Sequence, residues 1–176
     1  MTFYVARHGQ TEWNAENKVC GITDIALTEK GIAQADELAD QVKGKNIEII
    51  ISSPMKRAVT TSQIVSEKCH IPMMIDNRLV EQNYGVYEGV DRNNEDFLAN
   101  KRNFAYRYPN GESMIQVAVR VYTFLDEIKK QYSGKNVLIV SHGGVCRILK
   151  TYFSDMTNEE FFHYTLQNCK LEEYHI

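Results

Sequence analysis

The stretch Phe3-Tyr4-Val5-Ala6-Arg7-His8-Gly9-Gln10-Thr11-Glu12-Trp13-Asn14 decides how the rest of the chain is read. Four apolar residues in a row mark a short buried strand, and the run stops at a cation, an imidazole and a glycine. Side chains of that kind add nothing to a core, so at the tip of a buried strand they form a site. Arg7 carries a planar fork of donors that matches a phosphate or a carboxylate. His8 is largely neutral near pH 7 and can serve as nucleophile or proton carrier. Gly9 lets the backbone turn and approach a ligand without a Cβ in the way.

Two further apolar runs end in the same manner. Ile47 to Ile51 lacks alternation, as a strand covered on both faces does, and it ends in Ser52-Ser53-Pro54 with Arg57 a turn later. Val137 to Val140 ends in Ser141-His142-Gly143-Gly144. Helical patterns lie between the runs. Thr28 is a good N-cap for a helix whose Ile32, Ala35, Leu38, Ala39 and Val42 share one face, and Gly44 stops it. Met55 to Cys69 and Val145 to Tyr152 also read as helices. Ser113 caps the most regular one, with Met114, Val117, Ala118, Val121, Phe124, Leu125 and Ile128 at three- and four-residue steps through to Tyr132. Met73 to Ile75 reads as a short strand and Lys170 to Ile176 as an edge strand. Gly9 to Ala26 reads as a polar loop. Glu81 to Gly111 is the least regular part, with one helix around Asn94 to Phe104.

Strands alternating with helices predict an α/β fold, a three-layer α/β/α sandwich around a mainly parallel sheet. No linker, repeat or low-complexity segment divides the chain, so residues 1–176 read as a single domain. Ligands of such sheets bind beyond the carboxyl ends of the strands. If the three polar strand ends are neighbours, Arg7, His8, Arg57 and His142 converge on one pocket, and that set of charges points to a phosphate.

Composition bounds the function. The 176 residues are 43% hydrophobic and 24% charged, enough for a proper core. A net charge of −3 speaks against a nucleic-acid partner. No apolar run is long enough to cross a bilayer, and the N-terminus lacks a signal-peptide pattern, so a cytoplasmic protein without membrane contact is expected. Cys20, Cys69, Cys146 and Cys169 are widely spaced. They read as free thiols rather than a zinc site or a disulfide framework, and no metal or cofactor is expected.

Arg7-His8-Gly9 with Thr11 and Asn14 resembles the signature of the histidine phosphatase superfamily, the phosphoglycerate-mutase-like proteins. Ser53-Pro54 with Arg57, Ala58 and Thr61 resembles its second motif. Leu79-x-Glu81, with Gly85 and Glu88-Gly89, resembles its acid-bearing loop. Pro109-x-Gly111-Glu112-Ser113 and Ser141-His142-Gly143-Gly144 match its late motifs. The resemblance runs from Phe3 to about Arg147, in the family's order, and it implies a phosphoglycerate-mutase-like sandwich.

It also implies roles. His8 attacks phosphorus and becomes a phosphohistidine. Glu81 protonates the leaving alkoxide and then activates water, with Glu88 as the alternative acid. Arg7, Arg57, Asn14, Gly143 and a protonated His142 hold the phosphate, the cations taking the part that Mg²⁺ plays elsewhere. Residues 82–110 form the substrate lid, and Cys20, Gly21, Tyr84 and Arg92 face the rest of the substrate. Arg92, Lys101, Arg102 and Arg107 hint at anionic groups beyond the phosphate, whereas Phe97, Phe104, Tyr106 and Tyr108 suit packing.

Several positions depart from the pattern. Cys20 and Ala26 stand where many members carry Gln and Pro. Gln82-Asn83-Tyr84-Gly85 partly resembles the mutase form of the acid loop, and Arg92 falls where mutases carry a Lys. Mutases also carry a longer insertion with an Arg-Arg pair and a tail, and neither is seen here. The expectation is therefore a metal-independent phosphatase acting on a small phosphorylated metabolite, as monomer or homodimer. The alternatives are a 2,3-bisphosphoglycerate-dependent phosphoglycerate mutase and a non-catalytic phospho-ligand-binding protein. A nucleotide-binding domain would want a P-loop or a Gly-x-Gly-x-x-Gly after the first strand, and neither is present.

Overall fold

In the computed structural model, which describes residues 1–175, the three apolar runs become the middle of one five-stranded sheet. The strands are β1 (Thr2–Arg7), β2 (Ile47–Ser52), β3 (Met73–Ile75), β4 (Asn136–Ser141) and β5 (Leu171–His175), in the spatial order β3-β2-β4-β1-β5. All pairings are parallel except β1 with β5. The expected edge strand is β5; Ile176, which that expectation included, lies outside the described residues.

Helices cover both faces. They are α1 (Glu12–Ala15), α2 (Glu29–Val42), α3 (Lys56–Cys69), α4 (Glu95–Lys101), α5 (Met114–Gln131), α6 (Gly143–Phe153) and α7 (Asn158–His163). Successive residues of a strand point to opposite faces, and the core divides accordingly. Tyr4, Ala6, Ile50, Leu138 and Val140 pack with Ala35, Leu38 and Val42 of α2 and Val65 of α3. Phe3, Val5, Ile51, Val137 and Ile139 pack on the other side with α5, α6 and Phe161 of α7. This is the three-layer sandwich, with the central strands apolar on both faces as their unbroken runs require. Burying a side chain such as Leu38 or Phe124 contributes about 2–3 kcal/mol each.

The register carries the functional residues. Arg7 pairs with Ser141 and Ser52 with Val140, so three strands end level. The ladder continues past them: His8 N–H donates to Ser141 O and Ser53 N–H to Val140 O, each at 3.0 Å. His8, His142 and Ser53 are thereby set side by side at one edge of the sheet.

Three features differ from the sequence reading. Ile32 is 48% exposed, because Gly31 instead takes the packed position of α2. The Gln10 carbonyl comes so close that a Cβ on Gly31 would sit 2.2 Å from it, and this turns the next residue outward. The expected polar loop contains α1, held by a capping box in which Thr11 and Asn14 bond each other's backbone N–H. Thr157 and Glu160 make the same reciprocal cap for α7, which the sequence reading left without structure. Among the described residues no helix is long and apolar enough to cross a membrane, and the four cysteines are free.

Candidate active site

The strand ends open into a cavity of about 120 Å³ lined by Arg7, His8, Asn14, Cys20, Glu81, Tyr84, Arg92, Lys101, Gly143, Gly144 and Arg147, among others. A water needs about 10–15 Å³ measured in this way, so the space takes a phosphoryl group and a small attached alcohol.

His8 is held by one bond with a definite sense. Its Nδ1 lies 2.7 Å from Gly9 O. A carbonyl only accepts, so Nδ1 carries the proton and Nε2 keeps its lone pair. Burial, then Arg57 and Arg7, hold the imidazole well below its ordinary range. It is a neutral ring with an available nitrogen.

His142 stands beside it, ring centroids 5.0 Å apart, as the N-cap of α6. Arg57 Nε donates to His142 Nδ1 at 3.2 Å, which makes Nδ1 the acceptor. His142 Nε2–H then donates to Ser53 Oγ at 2.6 Å. Burial, with Arg57, His8 and Arg7 nearby, again lowers its pKa well below the usual value. The protonated His142 of the sequence reading is thus corrected: the ring is neutral, since a guanidinium can only donate and a buried imidazolium among cations is disfavoured.

Arg57 is fully buried behind the cavity wall. Besides His142 it donates to Thr23 O at 2.9 Å and to Gly21 O at 2.6 Å, so three of its five N–H groups hold protein atoms. Glu88 grips the same loop from the other side. Its carboxylate accepts from the N–H groups of Gly21, Ile22, Thr23 and Tyr84 and from the Thr23 hydroxyl. Such a saturated group anchors a loop, and Glu88 does not line the cavity. Gly21, expected at the substrate, contributes its clamped backbone rather than a wall.

Glu81 does line the cavity and is buried. One oxygen accepts from Gln82 N–H at 2.8 Å and the other from Gly144 N–H at 3.0 Å. This contact requires a glycine: a Cβ on Gly144 would stand 2.6 Å from the Glu81 carboxylate and 3.0 Å from the Tyr84 hydroxyl. Arg7 donates through one terminal nitrogen to Leu166 O at 3.2 Å, while its buried Nε has no partner. Gly143 backs this guanidinium, with Arg7 Cζ and Nε each 3.7 Å from where a Cβ would be. Burial first, then Arg92, weigh against the Arg7 charge, and Glu81 supports it. An orphaned, desolvated N–H beside a strand-end glycine is a fit for an anionic oxygen.

Asn14 Oδ1 is occupied by Thr11 N–H and by Asn168 Nδ2, so its amide donor is the end left for a ligand. Cys20, Tyr84 and Arg92 line the cavity. Two residues at the site, Asn168 and Arg147, have no place in the sequence reading. Asn168 bonds the His8 carbonyl at 2.7 Å. Arg147 lines the wall while donating to Tyr164 O; it lies four residues after Gly143 on α6, a spacing that puts both on one helix face. Lys101, one of the four lid cations singled out in the sequence, stands at the end of α4 and reaches the cavity over the Phe162 ring. Among the described residues no group of three or more His, Cys, Asp or Glu is arranged to hold a metal ion.

The profile of the family described as "Histidine phosphatase superfamily (branch 1)" matches residues 3–176. The chain belongs to the histidine phosphatase superfamily. It is 36% identical over 150 residues to the "Uncharacterized phosphatase PhoE" of Bacillus subtilis (strain 168), covering 85% of this chain and 76% of that one. It is 34% identical over 178 residues to the "Probable phosphoglycerate mutase GpmB" of Yersinia pestis (strain Pestoides F), covering 97% and 83%. Among solved structures, the phosphoserine phosphatase of Entamoeba histolytica, in complex with 3-phosphoglyceric acid, superposes with a TM-score of 0.85 at 29% identity, covering 98% and 89%. The fold is that of the histidine phosphatases.

Proposed function

We propose that this histidine phosphatase hydrolyses small phosphate monoesters through a phosphohistidine on His8, without a metal. The observation that carries the reading is the His8 Nδ1–H bond to Gly9 O, which leaves Nε2 unprotonated in a cavity shared with Arg7 and Glu81.

The proposed reaction has two halves. His8 Nε2 attacks phosphorus in line as the P–O bond to the alcohol breaks, and the leaving oxygen takes a proton from Glu81. The Glu81 carboxylate then accepts a proton from water as the water oxygen attacks phosphorus. The P–N bond breaks, orthophosphate leaves and His8 is restored. Arg7, Arg57, Asn14, His142 and the backbone at Gly143 stabilise the charge on the phosphoryl oxygens. For Arg57 this needs its two remaining N–H groups, and His142 acts as a neutral donor once its Nε2–H turns from Ser53. Residues 82–110 serve as the lid of a single domain, with Cys20, Tyr84 and Arg92 toward the alcohol and Gly21 holding the loop behind them. The same reading places the enzyme in the cytoplasm, as monomer or homodimer.

A second reading, a 2,3-bisphosphoglycerate-dependent mutase, draws on the name of the Yersinia relative and on the cations beyond Arg7. One assay separates the two. The enzyme is incubated with 3-phosphoglycerate and a trace of 2,3-bisphosphoglycerate, and 2-phosphoglycerate is counted against free phosphate. Net phosphate release, undiminished by EDTA and passing through acid-labile label on His8, is expected. Rapid isomerisation with little free phosphate would support the mutase, and activity lost to EDTA and restored by Mg²⁺ would overturn the metal-free mechanism.

A further inference from the structure

Of the two groups proposed to react, His8 extends β1, whereas Glu81 lies in residues 80–84, which belong to no strand or helix. The Glu81 carboxylate has two bonds. The one from Gln82 N–H ties it only to its own loop, and the one from Gly144 N–H ties it to α6. A proton donor that becomes an acceptor in the second half-reaction must stay within hydrogen-bond reach of two oxygens in turn. The loop that carries it therefore has to be held.

One side chain supplies most of that hold. Arg120 of α5 donates through one terminal nitrogen to Arg78 O at 2.5 Å and through the other to Glu81 O at 3.4 Å. The second of these and Nε also donate to the two Glu112 carboxylate oxygens, at 3.3 and 3.4 Å. Glu112 in turn accepts from Asn83 N–H at 2.9 Å. Its own N–H donates to Asn83 O at 2.9 Å, and its carbonyl accepts from Gln82 Nε2 at 3.1 Å. The pair thus touches residues 78, 81, 82 and 83, on both sides of the acid. Its footing is firm, since Val117 and Val121, which flank Arg120 on α5, are fully buried.

Neither Arg120 nor Glu112 lines the cavity, so neither reaches a substrate there. A partly exposed ion pair contributes little to stability, whereas a displacement of a reacting group by about 1 Å costs on the order of a hundredfold in rate. Catalysis is the more sensitive to this brace.

We propose that Arg120, paired with Glu112, is a positioning residue for Glu81: it fixes the backbone from which the carboxylate reaches the leaving oxygen and then the attacking water. The inference rests on the phosphatase reading, in which Glu81 is the acid.

The test varies the need for a proton. Benzyl, phenyl and 4-nitrophenyl phosphate carry the same ring and charge, but their leaving oxygens are progressively more stable as anions. Phosphate release and alcohol release give kcat and kcat/KM for the wild type, Arg120→Met, Arg120→Lys and Glu81→Gln, and kcat/KM reports transfer to His8. In Arg120→Met, kcat/KM should fall by about ten- to a hundredfold for benzyl phosphate and by no more than about threefold for 4-nitrophenyl phosphate. The ratio of the two does not depend on how much of the protein is folded, so a merely structural role would leave it unmoved. Because the same carboxylate activates water, kcat for 4-nitrophenyl phosphate should fall as well, with a burst of 4-nitrophenol equal to the enzyme. Arg120→Lys, a point charge that cannot span both carbonyls and the carboxylate, should show the same dependence more weakly, and it is the variant read if Arg120→Met does not fold. Glu81→Gln should show the dependence most steeply. Equal losses for all three compounds in the Arg120 variants, beside a steep dependence in Glu81→Gln, would overturn the proposal and leave the phosphatase reading standing. No such dependence in Glu81→Gln, or no hydrolysis by the wild type, would overturn both.

Discussion

The nucleophile and the acid are held in place on different terms. At the strand tips the sheet and its neighbours supply the partners. His8 donates to Gly9 O, His142 lies between Arg57 and Ser53, and the loop 21–23 is held by Arg57 through its carbonyls and by Glu88 through its N–H groups. Glu81 comes from residues outside any strand or helix, and side chains brace them: Arg120 takes the carbonyls of Arg78 and Glu81, and Glu112 the Asn83 N–H. A group that performs the same chemistry on every turnover gains from being fixed beforehand, since reorganisation would raise the barrier. A ladder of backbone bonds fixes its groups at many points, whereas a side-chain brace depends on one or two residues. Arg7 is left partly open to a ligand, with one donor on Leu166 O and its Nε unmatched.

The largest effect that would break this contrast is at His8. Its replacement by Ala should lower phosphate release by several orders of magnitude while leaving phosphate monoesters bound, as measured by initial rates and calorimetry. Comparable activity in the variant, or label trapped on a serine or aspartate, would remove His8 from its role.

Next comes the clamp. Glu88→Gln replaces an oxygen that accepts with an amide that donates, facing N–H groups of residues 21–23. A loss of about 3 kcal/mol is expected, seen as a melting temperature lower by roughly 6–12 °C, with an approximately tenfold fall in kcat/KM. An unchanged melting temperature would show that the strand tips are not held as described.

Acid stability tests the neutral histidines. His8 and His142 are both held well below their ordinary pKa in the folded chain. As pH falls through about 6.5 the unfolded chain binds protons that the folded one does not, so their contribution to stability is present above that pH and is lost below it. The loss should reach up to about 1.4 kcal/mol per pH unit for each histidine. Melting curves from pH 7 to 5 should therefore slope downward, and less steeply with saturating phosphate; a flat profile would contradict the neutral rings.

The smallest effect concerns the cavity wall. Lys101 faces Arg147 from α6, Arg92 from the loop before α4 and the Phe162 ring of α7, beside Arg102, itself paired with Glu159. With its pKa lowered to about 8, it is charged at pH 7 and largely neutral at pH 9. KM for a phosphate monoester should be flat from about pH 7 to 8 and rise by about tenfold by pH 9, and Lys101→Arg should flatten the rise. A wild-type KM that does not change across this range would argue against a charged Lys101 in binding.

Legibility followed the range of the forces. The sheet, its two-sided core and the ends of α2, α3 and α5 could be read to within a residue or two, because burial on one stripe or two faces imprints its period on the chain. The short helices α1 and α7 were missed, since their evidence is a pair of caps rather than a period. Arg7, His8, Glu81 and His142 could be singled out because chemistry-bearing residues stand where apolar runs stop or match a family motif. Glu88 was read as an alternative acid, and nothing in its local sequence tells a catalytic carboxylate from one saturated by five donors.

By itself the sequence determined the layers, the parallel centre of the sheet and the polar tips of three strands, since those follow from hydrophobic period and from residue types that a core rejects. Tertiary structure alone decided the rest. Register set Arg7 level with Ser141, so that His8 and His142 meet. Donor and acceptor geometry made His142 neutral. The fold brought Lys101 of α4 and Arg147 of α6, 46 positions apart, onto one cavity wall with Arg92. Charge acts through space and through what burial removes of water, and neither distance nor burial is written in the order of the residues.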